Sequence, residues 1–177
     1  ISSTHISFAY GGDIWVSNLD GNNVKRLTST PAVESDPHFS PDGKLIAFTS
    51  NRNGASAVYT VSVNGGDAQR HTWHPSASIS RGWTLDGKNI LFASSRDVAP
   101  GRFNRLYTIA LEGGPAKMLA AQWGNDGSFS PDGKKIILDR VTRWDVEWRD
   151  YRGGQNTPLI ILDLEENSEI LLPNEKT

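Results

Sequence analysis

The sequence predicts an all-β fold, a β-propeller made of four-stranded antiparallel blades. Three observations carry that prediction. Ser40-Pro41-Asp42-Gly43-Lys44 returns as Ser130-Pro131-Asp132-Gly133-Lys134, with Thr84-Leu85-Asp86-Gly87-Lys88 between them, a period matching that of a propeller blade. Each string runs into a short apolar strand: Leu45-Ile46-Ala47-Phe48, Asn89-Ile90-Leu91-Phe92 and Lys135-Ile136-Ile137-Leu138. No segment sustains a 3.6-residue apolar period with caps, so no helix of consequence is expected.

The elements follow in the same order each time. His5-Ile6-Ser7-Phe8 opens the chain as a fourth copy of the apolar strand, without its turn. An aromatic or β-branched strand comes next: Ile14-Trp15-Val16, Val58-Tyr59-Thr60-Val61, Leu106-Tyr107-Thr108-Ile109 and Leu159-Ile160-Ile161-Leu162. A polar turn follows (Asp20-Gly21, Gly65-Gly66, Glu112-Gly113-Gly114, Glu165-Glu166-Asn167), and then a last short strand such as Lys25–Thr28 or Gln69–Thr72. The Asp-Gly turns have a local cause. Pro41 and Pro131 preset φ near −65° at the second turn position, and Gly43, Gly87 and Gly133 can take positive φ without steric cost. Asp42, Asp86 and Asp132 are therefore read as turn formers.

With strands named a to d from the axis outward, blade 1 supplies strands b to d over residues 4–28. Blade 2 takes 33–72, blade 3 78–120 and blade 4 124–173. This is about three and three-quarter blades, short of a comfortable closed ring. The missing strand a is expected from elsewhere, normally the far end of a ring, and the chain is read as a segment of a larger propeller. A plain β-sandwich is the alternative fold, but it does not require the same strand order and turn chemistry in every unit.

Composition removes several function classes. The 177 residues carry 18 Lys+Arg against 20 Asp+Glu, a formal net charge of −2, which excludes nucleic-acid binding by bulk charge. Six Trp, six Phe and four Tyr exclude a disordered tail. The absence of Cys excludes disulfides, thiolate zinc sites and cysteine nucleophiles, and fits cytoplasm and periplasm equally. Apolar runs such as Leu159–Leu162 fall far short of the roughly 18 residues a membrane span needs. The first residue is Ile, not Met, so the chain is expected to begin after processing or as a piece of a longer one.

Loop length points to one face of the disc. The a–b and c–d turns are tight and share one face; the b–c and d–a connections share the other. The b–c connections lengthen along the chain, from Ile6 to Ile14, Ile46 to Val58, Ile90 to Leu106 and Ile136 to Leu159. Insertions gather on the binding face of repeat proteins. The two longest hold most of the arginines (Arg96, Arg102, Arg105, Arg140, Arg143, Arg149, Arg152) together with Phe103, Trp144, Trp148 and Tyr151. The d–a loops add Trp73, His74 and Trp123 on the same side. Arg and Trp are favoured at binding hot spots, so Arg102, Phe103, Arg105, Trp144, Trp148, Arg149, Tyr151, Arg152, Trp73, His74 and Trp123 form the candidate binding face. The other reading is that Asp97, Asp145, Glu147 and Asp150 pair with these arginines and the loops pack on one another.

Catalytic constellations are not evident. His71 and His74 have a spacing of three, which converges on a helix but not at a strand exit, so no metal site is expected. Gly11-Gly12-Asp13 and the Asp-Gly turns lack the carboxylate run of a calcium loop. Ser40 and Ser130 lie in turns, outside any Gly-x-Ser-x-Gly elbow and without an assignable His. The glycine pairs open no helix that could cradle a phosphate. No cofactor is expected, and the segment is read as non-catalytic.

Longer strings resemble a known family. Phe39–Ser50 (FSPDGKLIAFTS) and Phe129–Arg140 (FSPDGKKIILDR) resemble the repeat of TolB-like, WD-like propellers. Residues 5–29, 73–96, 101–114 (with Arg102-Phe103-Asn104-Arg105) and 140–164 (with Tyr151-Arg152-Gly153-Gly154) resemble the N-terminal propeller of tricorn-like serine peptidases. That resemblance implies a modular peptidase with a downstream PDZ-like module and a catalytic region related to tail-specific proteases. The propellers would sort or channel peptides, and none of the catalytic positions falls on residues 1–177. Partners are then the rest of the parent chain and peptides or a protein partner. The alternatives are a TolB-like envelope interaction module and, further off, a propeller lyase or an amidohydrolase-associated propeller. Unfinished edges and uncovered blade faces lead us to expect self-association into a fuller ring, or aggregation.

Overall fold

The computed structural model describes residues 1–98, 103–139 and 159–172. Among these, fifteen strands form four antiparallel sheets. The first sheet holds β1 (His5–Tyr10), β2 (Asp13–Asn18) and β3 (Lys25–Arg26). The second holds β4 (Glu34–Phe39), β5 (Leu45–Ser50), β6 (Ala57–Ser62) and β7 (Gln69–Arg70). In the third lie β8 (Ser78–Trp83), β9 (Asn89–Ser94), β10 (Arg105–Ala110) and β11 (Lys117–Met118). The fourth has β12 (Asp126–Phe129), β13 (Lys135–Asp139), β14 (Ile160–Asp163) and β15 (Glu169–Leu171). Each is a simple up-and-down meander in sequence order. The fold is an open, partial propeller, and the sandwich alternative falls away.

Alternation along each strand explains why the sheets stack in a row. A strand sends successive side chains to opposite faces, and here both faces are apolar. Ile46, Phe48, Tyr59 and Val61 pack backward against Ile14 and Val16 of the first sheet. Their neighbours Ala47 and Val58 pack forward against Ile90, Phe92, Tyr107 and Ile109 of the third. The pattern repeats once more, with Leu91, Ala93 and Leu106 against Ile136, Leu138, Ile160 and Leu162. Each buried side chain of this size contributes about 1.5–3 kcal/mol, so the sheet-to-sheet seams are the core. By the same alternation Ile6, Phe8 and Trp15 lie on the outer face of the first sheet, and Ile137, Leu159, Ile161 and Ile170 on that of the fourth. Neither face has a neighbouring sheet among the described residues, and Ile137 is 38% exposed where Leu91, its counterpart, is 1% exposed.

The repeated turn is held by its serine or threonine as well as by Asp-Gly. Ser40 Oγ donates to Asp42 Oδ1 at 2.6 Å and accepts from Leu45 N–H at 2.9 Å. Asp42 Oδ1 in turn accepts from Lys44 N–H at 3.1 Å. Thr84 with Asp86, and Ser130 with Asp132, repeat this arrangement. Gly43, Gly87 and Gly133 stand at φ 71°, 68° and 72°. The first copy departs from the expectation that it has no turn. Ser2 Oγ accepts from His5 N–H at 3.0 Å, and Ser2 N–H donates to His5 O at 2.9 Å, a shortened form of the same device. Because Pro, Asp and Gly are missing there, the motif could not be recognised from residue types.

Candidate functional site

Two regions have the character of a site: the face carrying the b–c and d–a loops, and a cleft beside the innermost strands β4, β8 and β12. On the loop face, Phe103 and Trp123 come together from loops on either side of β10 and β11. Their ring centroids are 4.2 Å apart at 79°, an edge-to-face pair. Asn104 and Asn125 tie the same two loops, Nδ2 to Oδ1 at 3.1 Å, and Gly124 N–H donates to Asn104 O at 2.9 Å. Glycine is required at 124, since a Cβ would stand 2.9 Å from Leu106 Cγ. Phe103 remains 41% exposed and presents an apolar surface to solvent.

The other candidates divide. Trp73 is 67% exposed, with the Arg70 guanidinium 5.9 Å from its ring centre, and His74 Nδ1 accepts from Ser76 N–H at 3.0 Å. Arg105 turns toward strand d, its Nη1 3.0 Å from Met118 Sδ, so its charge lies along the blade. Arg102, Trp144, Trp148, Arg149, Tyr151 and Arg152 lie outside the described residues, as do Arg140 and Arg143, Asp145, Glu147 and Asp150. Asp42, Gly43, Asp86, Gly87, Asp132 and Gly133 form the turns of the opposite face.

Arg96 belongs to the scaffold. Its guanidinium lies 4.9 Å from the Phe92 ring centre and 5.3 Å from that of Tyr107, and donates to Ser78 Oγ at 2.7 Å and Ser94 Oγ at 3.1 Å. Burial lowers the Arg96 guanidinium and raises the Tyr107 phenol from their ordinary values. Arg52 is the equivalent clamp in the preceding blade, over Phe48 and Tyr59 and paired with buried Glu34. A Ser-x-Arg string closing strand b, at 50–52 and 94–96, was the sequence signal for this clamp.

The axial cleft was not anticipated from residue types. About 280 Å³ in volume, it is lined by Pro37, His38 and Phe39 of β4, Arg81, Gly82 and Trp83 of β8, and Gly127, Ser128 and Phe129 of β12, with Ile1, Leu85 and Leu91 beside them. β-Bulges at Ser35/His38 and Ser80/Gly82 turn side chains out of the regular alternation. Asp36 takes φ 52° and Gly82 φ 130° to make them. Arg81 then bridges three blades: Nη1 to Asp36 Oδ1 at 3.1 Å, Nε to Asn125 O at 2.7 Å, and Nε 4.0 Å from Asp126 Oδ1. The Trp83 indole N–H donates to His38 O at 3.0 Å. Burial lowers the His38 imidazole, against the opposing pull of Asp126 and Asp36. His71 is instead a core residue, its Nε2 2.9 Å from Thr60 Oγ1. No cluster of three metal-ligating side chains occurs among the described residues.

Four antiparallel meanders stacked face to face, with the repeated tight turns on one side, define the class: an open, partial β-propeller. Residues 1–177 match the family described as the Tricorn protease N-terminal beta propeller domain, and the chain belongs to that family. It is 33% identical over 170 residues to Tricorn protease homolog 1 of Streptomyces coelicolor, covering 94% of this chain but 15% of that protein. The crystal structure of the tricorn protease superposes with a TM-score of 0.77 at 20% identity, over 98% of this chain and 18% of that one. A putative TolB from Agrobacterium tumefaciens gives a TM-score of 0.77 at 21% identity, over 97% of this chain and 58% of that one. The chain thus spans a small fraction of its peptidase relatives and over half of a TolB.

Proposed function

We propose that this chain is a non-catalytic segment of a peptidase's propeller, which admits or sorts peptides for a catalytic region carried elsewhere on the parent polypeptide. The observation that supports it is the gathering of exposed aromatic side chains on one face of a family member. The paired Phe103 and Trp123 and the exposed Trp73 lie among loops that lengthen along the chain, while the opposite face is sealed by repeated hydrogen-bonded turns. Aromatic and arginine side chains on such a face suit peptide or protein contacts. Further blades of the parent would cover the apolar outer faces of the first and fourth sheets.

The test is binding of a fluorescein-labelled mixed peptide library to the chain, followed by anisotropy. Peptides should bind without being cleaved. Replacing Phe103 and Trp123 by Ser, or Arg102, Arg105, Arg149 and Arg152 by Ala, should weaken binding several-fold. Cleavage by the isolated chain, or unchanged binding in both variants, would sink the reading. The TolB superposition supports a second reading, a protein-interaction module. It predicts capture of a folded protein partner through the same loops, with no affinity for short peptides.

A further inference from the structure

The seams between sheets are not filled alike. Where the third sheet meets the second, Trp83 is 7% exposed and donates its indole N–H to His38 O. Buried His71 meets Thr60 Oγ1 in the same blade pair at 2.9 Å. One repeat later the equivalent residues are different. Phe129 stands opposite Ile136 as Trp83 stands opposite Ile90. Leu119 N–H donates to Leu106 O as His71 N–H donates to Val58 O, and Thr108 pairs with Lys117 as Thr60 pairs with Gln69. Leucine offers nothing to the Thr108 hydroxyl, which has no hydrogen-bond partner among the described residues. A groove of about 410 Å³ lies here between the third and fourth sheets, walled by Leu85, Leu119, Phe129 and Leu164 and lined also by Thr108. Thr108, Leu119 and Leu164 do not line the axial cleft, so the two sites are distinct.

Two of the repeated turns form the mouth of the groove. Asp86 and Asp132 line it with Thr84 and Gly133, and a Cβ on Gly133 would stand 3.6 Å from Leu85 Cδ1. Each turn uses only Oδ1 of its carboxylate, for the Thr84 or Ser130 hydroxyl and the Lys88 or Lys134 N–H. Those hydroxyls hold both carboxyls below their ordinary range, so both are charged at neutral pH. Neighbouring lysines leave Oδ2 open. In the second sheet Lys44 Nζ returns to Asp42 Oδ2 at 3.6 Å, whereas Lys134 Nζ turns to Glu165 at 3.1 Å. Lys88 makes no ion pair among the described residues. Lys88, Lys117, Lys134 and Glu165 stand nearby, and none of them lines the groove.

Apolar walls closed by two open carboxylate oxygens select one kind of ligand. An anion is repelled at the mouth, a bare metal ion gains nothing from the leucines, and a neutral hydrocarbon leaves the carboxylates unused. We infer that the groove binds an alkylammonium group, its stem against Leu85, Leu119, Phe129 and Leu164 and its ammonium at the Asp86 and Asp132 carboxylates. A free amine and the lysine side chain of a bound protein share this chemistry. The site is independent of peptide sorting on the loop face, because it opens among the turns of the opposite face.

The test titrates the chain with hexylammonium, hexanol and hexanoate, which share an apolar stem, and with Nα-acetyl-lysine methylamide. Amide shifts of Thr108, Leu119, Gly133 and Leu164 are followed by ¹H–¹⁵N NMR. Hexylammonium should give saturable shifts there, with hexanol about fivefold weaker for the lost ion pairs at an exposed mouth, and hexanoate weaker again. Asp86→Asn combined with Asp132→Asn keeps the Oδ1 acceptor of both turns and should make hexylammonium and hexanol bind alike. Phe129→Trp restores the side chain of the preceding seam and should weaken every probe; spectral dispersion monitors the fold of both variants. Shifts from the lysine derivative at the same amides would assign the groove to protein contacts. A response to hexylammonium alone would assign it to free amines. Equal binding of hexylammonium and hexanol by the natural chain would overturn the inference. So would shifts confined to Gly82 and the Trp83 indole in the axial cleft, or no shifts at all, and each of these leaves peptide binding at Phe103 and Trp123 untouched.

Discussion

Phe8 and Phe48 occupy the same place in consecutive repeats, each facing backward from strand b, and their surroundings differ in one respect. Phe48 is 0% exposed, sealed between two sheets, with its ring 5.9 Å from Tyr59 and 5.6 Å from the Arg52 guanidinium. Phe8 faces the uncovered side of the first sheet and is half-buried, against Trp15 as its cross-strand partner. Phe48→Ala should cost about 3–5 kcal/mol, from transfer and cavity together. Phe8→Ala removes a side chain already partly in water and should cost about 1 kcal/mol. Urea unfolding followed by Trp fluorescence reads the difference as a shift in midpoint at constant slope. If Phe48→Ala proves too unstable to fold, Phe48→Leu against Phe8→Leu keeps the comparison, at about 1–1.5 kcal/mol for the former. Equal costs at the two positions would refute the stacked-blade account, because they would mean the first sheet is covered as fully as the second.

Three further outcomes are expected. Burial lowers the imidazoles of His38 and His71 in the fold, so the unfolded chain, with ordinary histidines near pKa 6.5, takes up the protons first. Stability should therefore be full above about pH 6.5 and fall below it, by at most about 1.4 kcal/mol per pH unit for each histidine; His71→Gln should flatten this acid limb in urea titrations at successive pH values. Ser40→Ala removes the hydroxyl that chiefly holds the Asp42 carboxyl below its usual range, so that carboxyl should titrate higher, as ¹³C NMR would show. A turn that titrates unchanged would mean the serine is incidental. Arg96→Met should cost about 1–2 kcal/mol by thermal or urea unfolding through lost stacking and hydrogen bonds, and leave peptide binding intact. Weaker binding at unchanged stability would return Arg96 to the binding face.

Residue types and spacing were enough for the strand order because the turn chemistry is local. Pro-Asp-Gly dictates its own backbone angles within five residues, and short, continuously apolar runs rich in β-branched and aromatic residues and bounded by turns read as strands covered on both sides. Where local signals lapse, the reading lapsed too. The first turn has only Ser2 to mark it, and the arginine at 96 looked like a loop residue because its partners, Phe92 and Tyr107, come from separate strands. Phe103 and Trp123 were both named as candidates, but their pairing depends on two loops meeting across β10 and β11.

What the chain encodes by itself is therefore a row of meanders with apolar faces, turns on one side and growing loops on the other. The Arg81 bridge across three blades was decided only in three dimensions. Asp36, Arg81 and Asp126 lie about one repeat apart in sequence, and nothing in their identities distinguishes them from surface charge. They meet because the sheets stack about a common axis and two bulges swing Asp36 and Arg81 toward it, and a contact between repeats is a property of that stacking rather than of any local run of residues.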